Sequence, residues 1–279
     1  MIIALFANAT KEHTRSYAVG VADFLKKQGV TITSEDDDAA LFGAQTLSSL
    51  GKQKIDFIIS LGGDGTILRL AHRFLHLDAP ILGINLGHLG FMADVPISDI
   101  YPSLQDLLDG AYKIHERMIL QGESPRKDAC FAVNDIVIHR GKNPSLVEIA
   151  IHVDGLYLNT FEADGMIIST PNGSTAYSLA AGGPILSPDL QAIVITPISP
   201  HTISNRPVVL MPGQQIQIQY LSEYAPVDVR ADGLEEFELC TGEVFTIARS
   251  SKTFKLVSLK RRDYFSTLRT KLGWAGKLR

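Results

Sequence analysis

Five consecutive residues, Gly62-Gly63-Asp64-Gly65-Thr66, stand between a compact apolar run, Phe57–Leu61, and a segment of helical periodicity, Thr66–Leu77. Glycines after a buried strand allow positive φ and let backbone N–H groups approach a bulky anion without Cβ interference. A helix starting near Thr66 would turn its free N–H groups and positive dipole end toward the same point. Gly62, Gly63 and Thr66 are therefore candidate phosphate contacts. Asp64 does not fit a plain anion site, because a carboxylate repels phosphate unless it binds a metal, takes up a proton or accepts from a hydroxyl. That makes it a candidate base for a nucleophilic hydroxyl group. The plainer reading is a tight turn in which Asp64 caps the helix. Neither the P-loop pattern nor the Gly-x-Gly-x-x-Gly fingerprint is present.

A second loop, Thr170-Pro171-Asn172-Gly173-Ser174, follows the apolar run Met166–Ser169 and is dense in turn residues. Ser174 or Thr175 can cap a short helix near Thr175–Ala181, which Gly182-Gly183-Pro184 would end. Tyr177 on its first turn can stack on a purine, with Ala176 small enough to admit the base. A capped helix with Tyr177 in a domain interface is the alternative. Asn134-Asp135 interrupts an otherwise apolar stretch, where buried polar groups are costly without partners. Asn can read a base edge and Asp can accept from ribose hydroxyls; a bulge or strand-end turn would also explain the pair. Asp164-Gly165, before the second loop's strand, is a weaker case of the same kind.

These loops need a frame. Ile2–Ala7 reads as a strand, Ser16–Gln28 as a helix ending at Gly29, and Pro80–Asn85 as a further strand after the Thr66–Leu77 helix. The succession is that of a parallel sheet flanked by helices. Ile97–Leu108 adds a helix with Pro102 near its first turn, and the acidic run Glu35–Asp38 reads as a solvated loop. From about Tyr112 the texture changes to extended segments. Leu146–Val153 and Leu156–Phe161 flank the hairpin dipeptide Asp154-Gly155, and Val227–Arg230 and Phe237–Cys240 flank Asp232-Gly233. Ile216, Ile218 and Tyr220 alternate with polar residues, and Val244–Ala248 with Phe254–Leu259 reads as another strand pair. The expected fold is an α/β nucleotide-binding domain over 1–115, a mostly antiparallel β-rich domain over 116–250 and a C-terminal segment, 251–279.

Of 279 residues, 45% are hydrophobic and 20% charged, enough to bury a sizeable core. A formal net charge of -4 argues against a broad nucleic-acid-binding face. Cys130 and Cys240 form no metal-spaced cluster, and no protein metal site is expected. Met1–Ala7 lacks a preceding basic stretch and Lys11-Glu12-His13 follows at once, so it reads as a buried strand and not as a secretion signal. No apolar run approaches the roughly 18–20 residues that span a bilayer. A soluble, cytoplasmic protein is expected.

Taken in order, the glycine loop, Asn134-Asp135 and Thr170–Tyr177 resemble the NAD kinase family, whose pattern is Gly-Gly-Asp-Gly-Thr, Asn-Asp and Thr-Pro-x-Gly-Ser-Thr-Ala-Tyr. Asn85–Phe91 and Pro200–Pro207 are similar to further family segments, so the resemblance runs from about Phe57 to Leu210 and more weakly beyond. It implies transfer of the γ-phosphoryl group of ATP to the adenosine 2′-hydroxyl of NAD, with a divalent cation, usually Mg²⁺, accompanying ATP. It also implies that Asp64 takes the proton from that hydroxyl, with Gly65 and Arg69 nearby, and that Asn134 and Asp135 hold the adenosine. Asp164 and the segment Thr175, Ala176, Tyr177, Ser178, Leu179 and Ala180 would line the dinucleotide site. The resemblance further implies a C-terminal segment returning to the first domain, and a homodimer or homotetramer. Glu162 departs from the basic residue that several bacterial members carry there, and either bears on the choice between NAD and NADH or points to solvent.

Two other readings stay open from the residues. A diacylglycerol-type lipid kinase shares the first loop, but its substrate offers no purine for Tyr177. A nucleotide-sensing regulator would use Asp64 only to contact a ribose or cap a helix. Lys260-Arg261-Arg262 is read as a solvated or intersubunit basic patch in preference to an anion contact.

Overall fold

A computed structural model describes residues 1–7, 12–201, 206–261 and 263–274. The chain divides into two compact units, Met1–Glu116 with Lys255–Arg279, and Arg117–Phe254.

In the first unit, β1 (Ile2–Ala7), α1 (Glu12–Lys27), β2 (Thr31–Ser34), α2 (Asp36–Phe42), β3 (Gln45–Thr46), β4 (Phe57–Leu61), α3 (Asp64–Phe74), β5 (Ile81–Asn85), β6 (Val95–Pro96) and α4 (Ile100–Leu108) follow in order. The strands pair in parallel in the order β3-β2-β1-β4-β5, with β6 beside β5. β1, β4 and β5 are runs of buried apolar residues, as strands covered on both faces require. Ile3, Leu5, Ile59, Leu61, Leu82 and Ile84 meet Val21 and Leu25 of α1 and Leu104 of α4 in one core. The chain leaves β1 toward β2 on one side and returns to β4 on the other. The carboxyl ends of β1 and β4 thus form a topological switch point, where open α/β sheets bind ligands.

The second unit holds β7 (Tyr112–Glu123, entering from the first unit), β8 (Ala129–Ala132), β9 (Asp135–His139), β10 (Val147–Val153), β11 (Leu156–Ala163), β12 (Gly165–Ser169), α5 (Tyr177–Ala180), β13 (Ile193–Ile198), β14 (Val208–Leu210), β15 (Ile216–Tyr220), β16 (Val227–Ala231), β17 (Glu235–Leu239) and the start of β18 (Val244–Leu259). One antiparallel layer runs β14-β13-β12-β9-β16-β17 and the other β11-β10-β15-β18. Ile136, Ile138, Met166 and Ile168 from one layer pack against Ile149, Ile151, Ile218 and Phe245 from the other. Both hairpin dipeptides turn as their residue types dictate: Asp154 and Gly155 have φ of 52° and 79°, and Asp232 and Gly233 of 51° and 67°.

Three expectations are corrected. Val244–Ala248 and Phe254–Leu259 are not a pair but one strand, because Arg249–Thr253 holds no Gly, Pro, Asn or Asp to reverse it. Its first part pairs with β15, and Leu256 pairs with Ile81 of β5. The acidic run is not a loop: Asp36, Asp37 and Asp38 form the first turn of α2, where carboxylates suit the helix dipole and stay at the surface. Neither Ser174 nor Thr175 caps α5. A 3-10 turn over Gly173–Thr175 intervenes, and Ala176 occupies the cap position. The last helix, α6 (Tyr264–Leu272), is capped by Asp263, which accepts from Ser266 N–H at 2.8 Å. Arg261 of the basic cluster grips Asp106, Nη2 to Oδ1 2.9 Å, while Arg262 lies outside the described residues. So do Thr202–Asn205 within Pro200–Pro207.

Candidate nucleotide and phosphate site

The glycine loop leaves the carboxyl end of β4, with Gly62 N–H still donating to Ile84 O at 2.9 Å. The expected positive φ is absent at Gly62, Gly63 and Gly65. Here glycine provides room instead. A Cβ on Gly62 would lie 2.4 Å from Thr66 Oγ1, whereas one on Gly63 or Gly65 would meet nothing within 4 Å. Both of these residues face open surface at the start of α3. Gly63 caps that helix without a side-chain bond, so the N–H groups of Asp64 and Gly65 have no intrahelical acceptor and point toward any bound anion. Arg69, exposed one turn along, donates to Thr66 Oγ1 at 3.3 Å.

Asp64 is the first residue of α3, yet its carboxylate does not cap the helix. Its Oδ2 accepts from Phe91 N–H at 2.8 Å, and its Oδ1 accepts from Met92 and Ala93 N–H at 3.1 and 2.8 Å. The loop supplying these donors is fixed from within by Asn85, a buried residue at the end of β5. The Asn85 amide donates to Ala93 O at 3.1 Å and to His88 O, while its Oδ1 accepts from Gly87 N–H at 2.7 Å. Gly90 presses on the carboxylate: a Cβ there would sit 2.0 Å from Asp64 Oδ1. Asp64, Gly65 and Arg69 are thus brought together on the first unit.

On the second unit, Asn134 precedes β9 and Asp135 opens it, opposite Ser169 of β12. The second loop locks onto them. Thr170 N–H donates to Asn134 O at 2.8 Å, Thr170 Oγ1 to Val133 O at 2.6 Å, and Asn172 Nδ2 to Asn134 Oδ1 at 2.8 Å. The Asn134 NH₂ is therefore the group it can offer a base edge. Gly173 must be glycine, since a Cβ would lie 2.1 Å from Asn134 O. Thr175 donates to Asn172 O at 3.3 Å, and the buried Ser178 hydroxyl bonds Thr196 Oγ1 of β13 at 2.9 Å, holding α5 on the sheet. Tyr177 is 43% exposed, and Leu179 and Ala180 lie on the same short helix. Asn134, Asp135, Ala176 and Tyr177 share one groove of about 1000 Å³, also lined by His139, Arg230, Asp232 and Phe237. That is at the upper end of pockets for small ligands and cofactors.

Asp164 stands apart. It precedes β12, at the opposite end of that strand from Thr170, and its Oδ1 accepts from Arg140 Nε at 2.6 Å. Glu162 is exposed, and its carboxylate lies 3.9 Å from His201 Nδ1.

Asp232 is the residue the sequence reading passed over as a mere turn signal. Its carboxylate accepts from the N–H groups of Val133, Asn134 and Asp135 at 2.7, 2.7 and 3.2 Å. It thereby fixes the backbone of the Asn-Asp pair. The available clue was its place in an Asp-Gly turn, where a short carboxylate at positive φ can reach neighbouring N–H groups.

Burial, then the negative charge of Asp232, pushes the Asp135 carboxyl up to about 7 from an ordinary 3.8. In the unfolded chain the same group ionises first. Its contribution to stability is full below about 3.8 and is lost as pH rises to about 7. The loss is on the order of 4 kcal/mol by linkage. Asp135→Asn, which stays neutral, is expected to gain stability over the parent at pH 8 and little at pH 4. Urea unfolding at both values checks this, and an equal gain at the two would contradict it.

The first unit is an α/β nucleotide-binding domain carrying a carboxylate in its glycine loop, and the second is a mostly antiparallel β domain. Comparison with known proteins gives this pairing its family. A model of the ATP-NAD kinase N-terminal domain matches residues 3–112, and one of the ATP-NAD kinase C-terminal domain matches residues 133–259. The chain belongs to the NAD kinase family. It is 58% identical over 278 residues to a protein named NAD kinase from Protochlamydia amoebophila, covering 100% of both chains. With the NAD kinase of Moorella thermoacetica it is 38% identical over 279 residues, covering 98% of this chain and 90% of that one. Among solved structures, the yeast NADH kinase complexed with NADH has a TM-score of 0.88 at 27% identity, covering 100% of this chain and 89% of that one. The NAD kinase from Archaeoglobus fulgidus in complex with ATP has a TM-score of 0.78 at 25% identity, covering 99% and 100%.

Proposed function

We propose that this chain transfers the γ-phosphoryl group of ATP to the adenosine 2′-hydroxyl of NAD, with Asp64 accepting the hydroxyl proton. The observation that carries this reading is the Asp64 carboxylate, held in a glycine loop beside the open N-terminus of α3. Donors at that helix end suit phosphate oxygens, and the carboxylate suits a hydroxyl that must lose its proton as the new bond forms. Asn134, Asp135 and Tyr177 supply, in one groove, a base-edge donor, a carboxyl for ribose hydroxyls and an aromatic face for stacking. Ala176 also lines that groove, Thr175 and Ser178–Ala180 continue the same segment beside it, and Arg140 orients Asp164 for a further contact to the dinucleotide.

Among the described residues no three His, Cys, Asp or Glu side chains converge as a metal cage. Mg²⁺ brought with the triphosphate is held largely by phosphates and water and needs no such cage. Such a cation neutralises charge developing on the transferred phosphoryl group. The protein is read as a cytoplasmic homodimer or homotetramer. No helix among the described residues is long and apolar enough to cross a membrane.

Purified protein incubated with ATP, Mg²⁺ and either NAD or NADH tests the reaction directly. The expected product carries one new phosphate on the adenosine ribose, located by mass spectrometry and ³¹P NMR. Binding of NAD without an ATP-dependent product, or phosphorylation of a vesicle lipid instead, would overturn the reading. Light scattering after gel filtration gives the oligomer size.

A further inference from the structure

We propose that Lys271, near the end of the C-terminal helix, is a positioning residue for Asp64. The inference rests on reading Asp64 as the carboxylate that takes the proton. Three main-chain N–H groups, those of Phe91, Met92 and Ala93, set the direction of that carboxylate. The geometry at residue 64 is therefore only as firm as the path of the loop from Leu86 to Ala93. Asn85 ties the inner side of this loop. The outer side lies at the surface and is met by α6. Lys271 Nζ donates to Leu89 O at 2.8 Å, and the same ammonium stands 5.1 Å from the centre of the Phe91 ring. Tyr264, at the other end of α6, places its ring 6.1 Å from that of Phe91.

One side chain thus touches the loop on both sides of Gly90, the residue packed against the carboxylate. An ammonium bonded to a carbonyl and seated over an aromatic face is a directional clamp. It acts on Phe91, whose own N–H is the donor to Asp64 Oδ2. Because Lys271 is exposed, the clamp is dispensable for the core of the unit. Its loss should widen the range of loop positions and leave the fold intact, and a small misplacement of a reacting group is enough to slow a phosphoryl transfer.

The test compares the full-length parent with Lys271→Met, Lys271→Arg, Asp64→Asn and the double variant Asp64→Asn/Lys271→Met, measuring kcat, both KM values and thermal midpoints. Lys271→Met keeps the stem and removes the charge. It is expected to lower kcat about three- to tenfold, with both KM values within about twofold and no change in midpoint. Lys271→Arg, which can donate to Leu89 O and stack on Phe91, should restore kcat. In the Asp64→Asn background, Lys271→Met should cost nothing further, since residues acting through one group are not additive. Parent-like kinetics in Lys271→Met would overturn the proposal. So would an undiminished loss in the double variant, or a fall in kcat matched by a fall in midpoint and not rescued by arginine. Parent-like turnover in Asp64→Asn would instead remove the reading on which the proposal rests.

Discussion

Asp64→Asn is expected to reduce kcat for phosphorylation of NAD by about 10²–10⁴-fold, the range over which a positioned base contributes, with KM values little changed. The substitution is nearly isosteric but not silent in the ground state. Asparagine can offer one oxygen to the Met92 and Ala93 N–H groups, yet its NH₂ then faces the N–H of Phe91, donor against donor. One buried pairing is lost, at a cost of about 1–3 kcal/mol. The thermal midpoint should therefore fall measurably while the protein stays folded. The two effects are read separately, the loss of the base in kcat and the lost pairing in the thermal midpoint. Turnover like that of the parent would dismiss Asp64 as the proton acceptor.

Gly90→Ala leaves every reacting group in the chain and should still cost about 10²-fold in kcat, because a displacement of about 1 Å at a catalytic group has that effect. The new methyl group would lie 2.0 Å from Asp64 Oδ1 and 2.6 Å from its Cγ, far inside contact distance. Either the carboxylate abandons its three donors or the loop moves off Asn85. Gly63→Ala is the matched control. Its added Cβ meets nothing within 4 Å and its φ of -96° suits any residue, so its midpoint should equal that of the parent. If Gly90→Ala retains full activity, the contact between this glycine and Asp64 has no functional weight.

Much of the frame could be read from local chemistry. Strands β1, β4 and β5 are short apolar runs closed by turn residues, and Asp154-Gly155 and Asp232-Gly233 can hardly be anything but hairpin turns. The strand β7 is harder to see, since its twelve residues do not alternate throughout: Tyr112–Glu116 lie partly or fully at the surface, Arg117–Leu120 are buried in a row, and alternation appears only over Leu120–Glu123. For β18 the obstacle was opposite. Its polar middle imitates a loop although no residue there asks the backbone to turn.

At the site, the carboxylates and the tyrosine announce themselves by their types and spacing, while the partners that orient them do not. Phe91, Met92 and Ala93 act on Asp64 through N–H groups that every residue but proline possesses. Asp232 reaches Asn134 across 98 residues of chain, a proximity created by the pairing of β9 with β16. Long-range pairing of this kind leaves no local trace.

The use of main-chain donors around Asp64 also shapes which changes the protein can absorb. A carboxylate oriented by side chains would fix the chemistry of each neighbour. Here the grip survives any exchange at Phe91 that keeps the chain on its course, and it fails with proline, which has no N–H to give. Met92 and Ala93 are buried and answer to packing as well. Phe91 is the partly exposed member of the three, and what constrains its side chain is the Lys271 ammonium over its ring, not the bond that its N–H makes to residue 64. The orientation of Asp64 is thus written in the path of the backbone more than in the letters of the sequence.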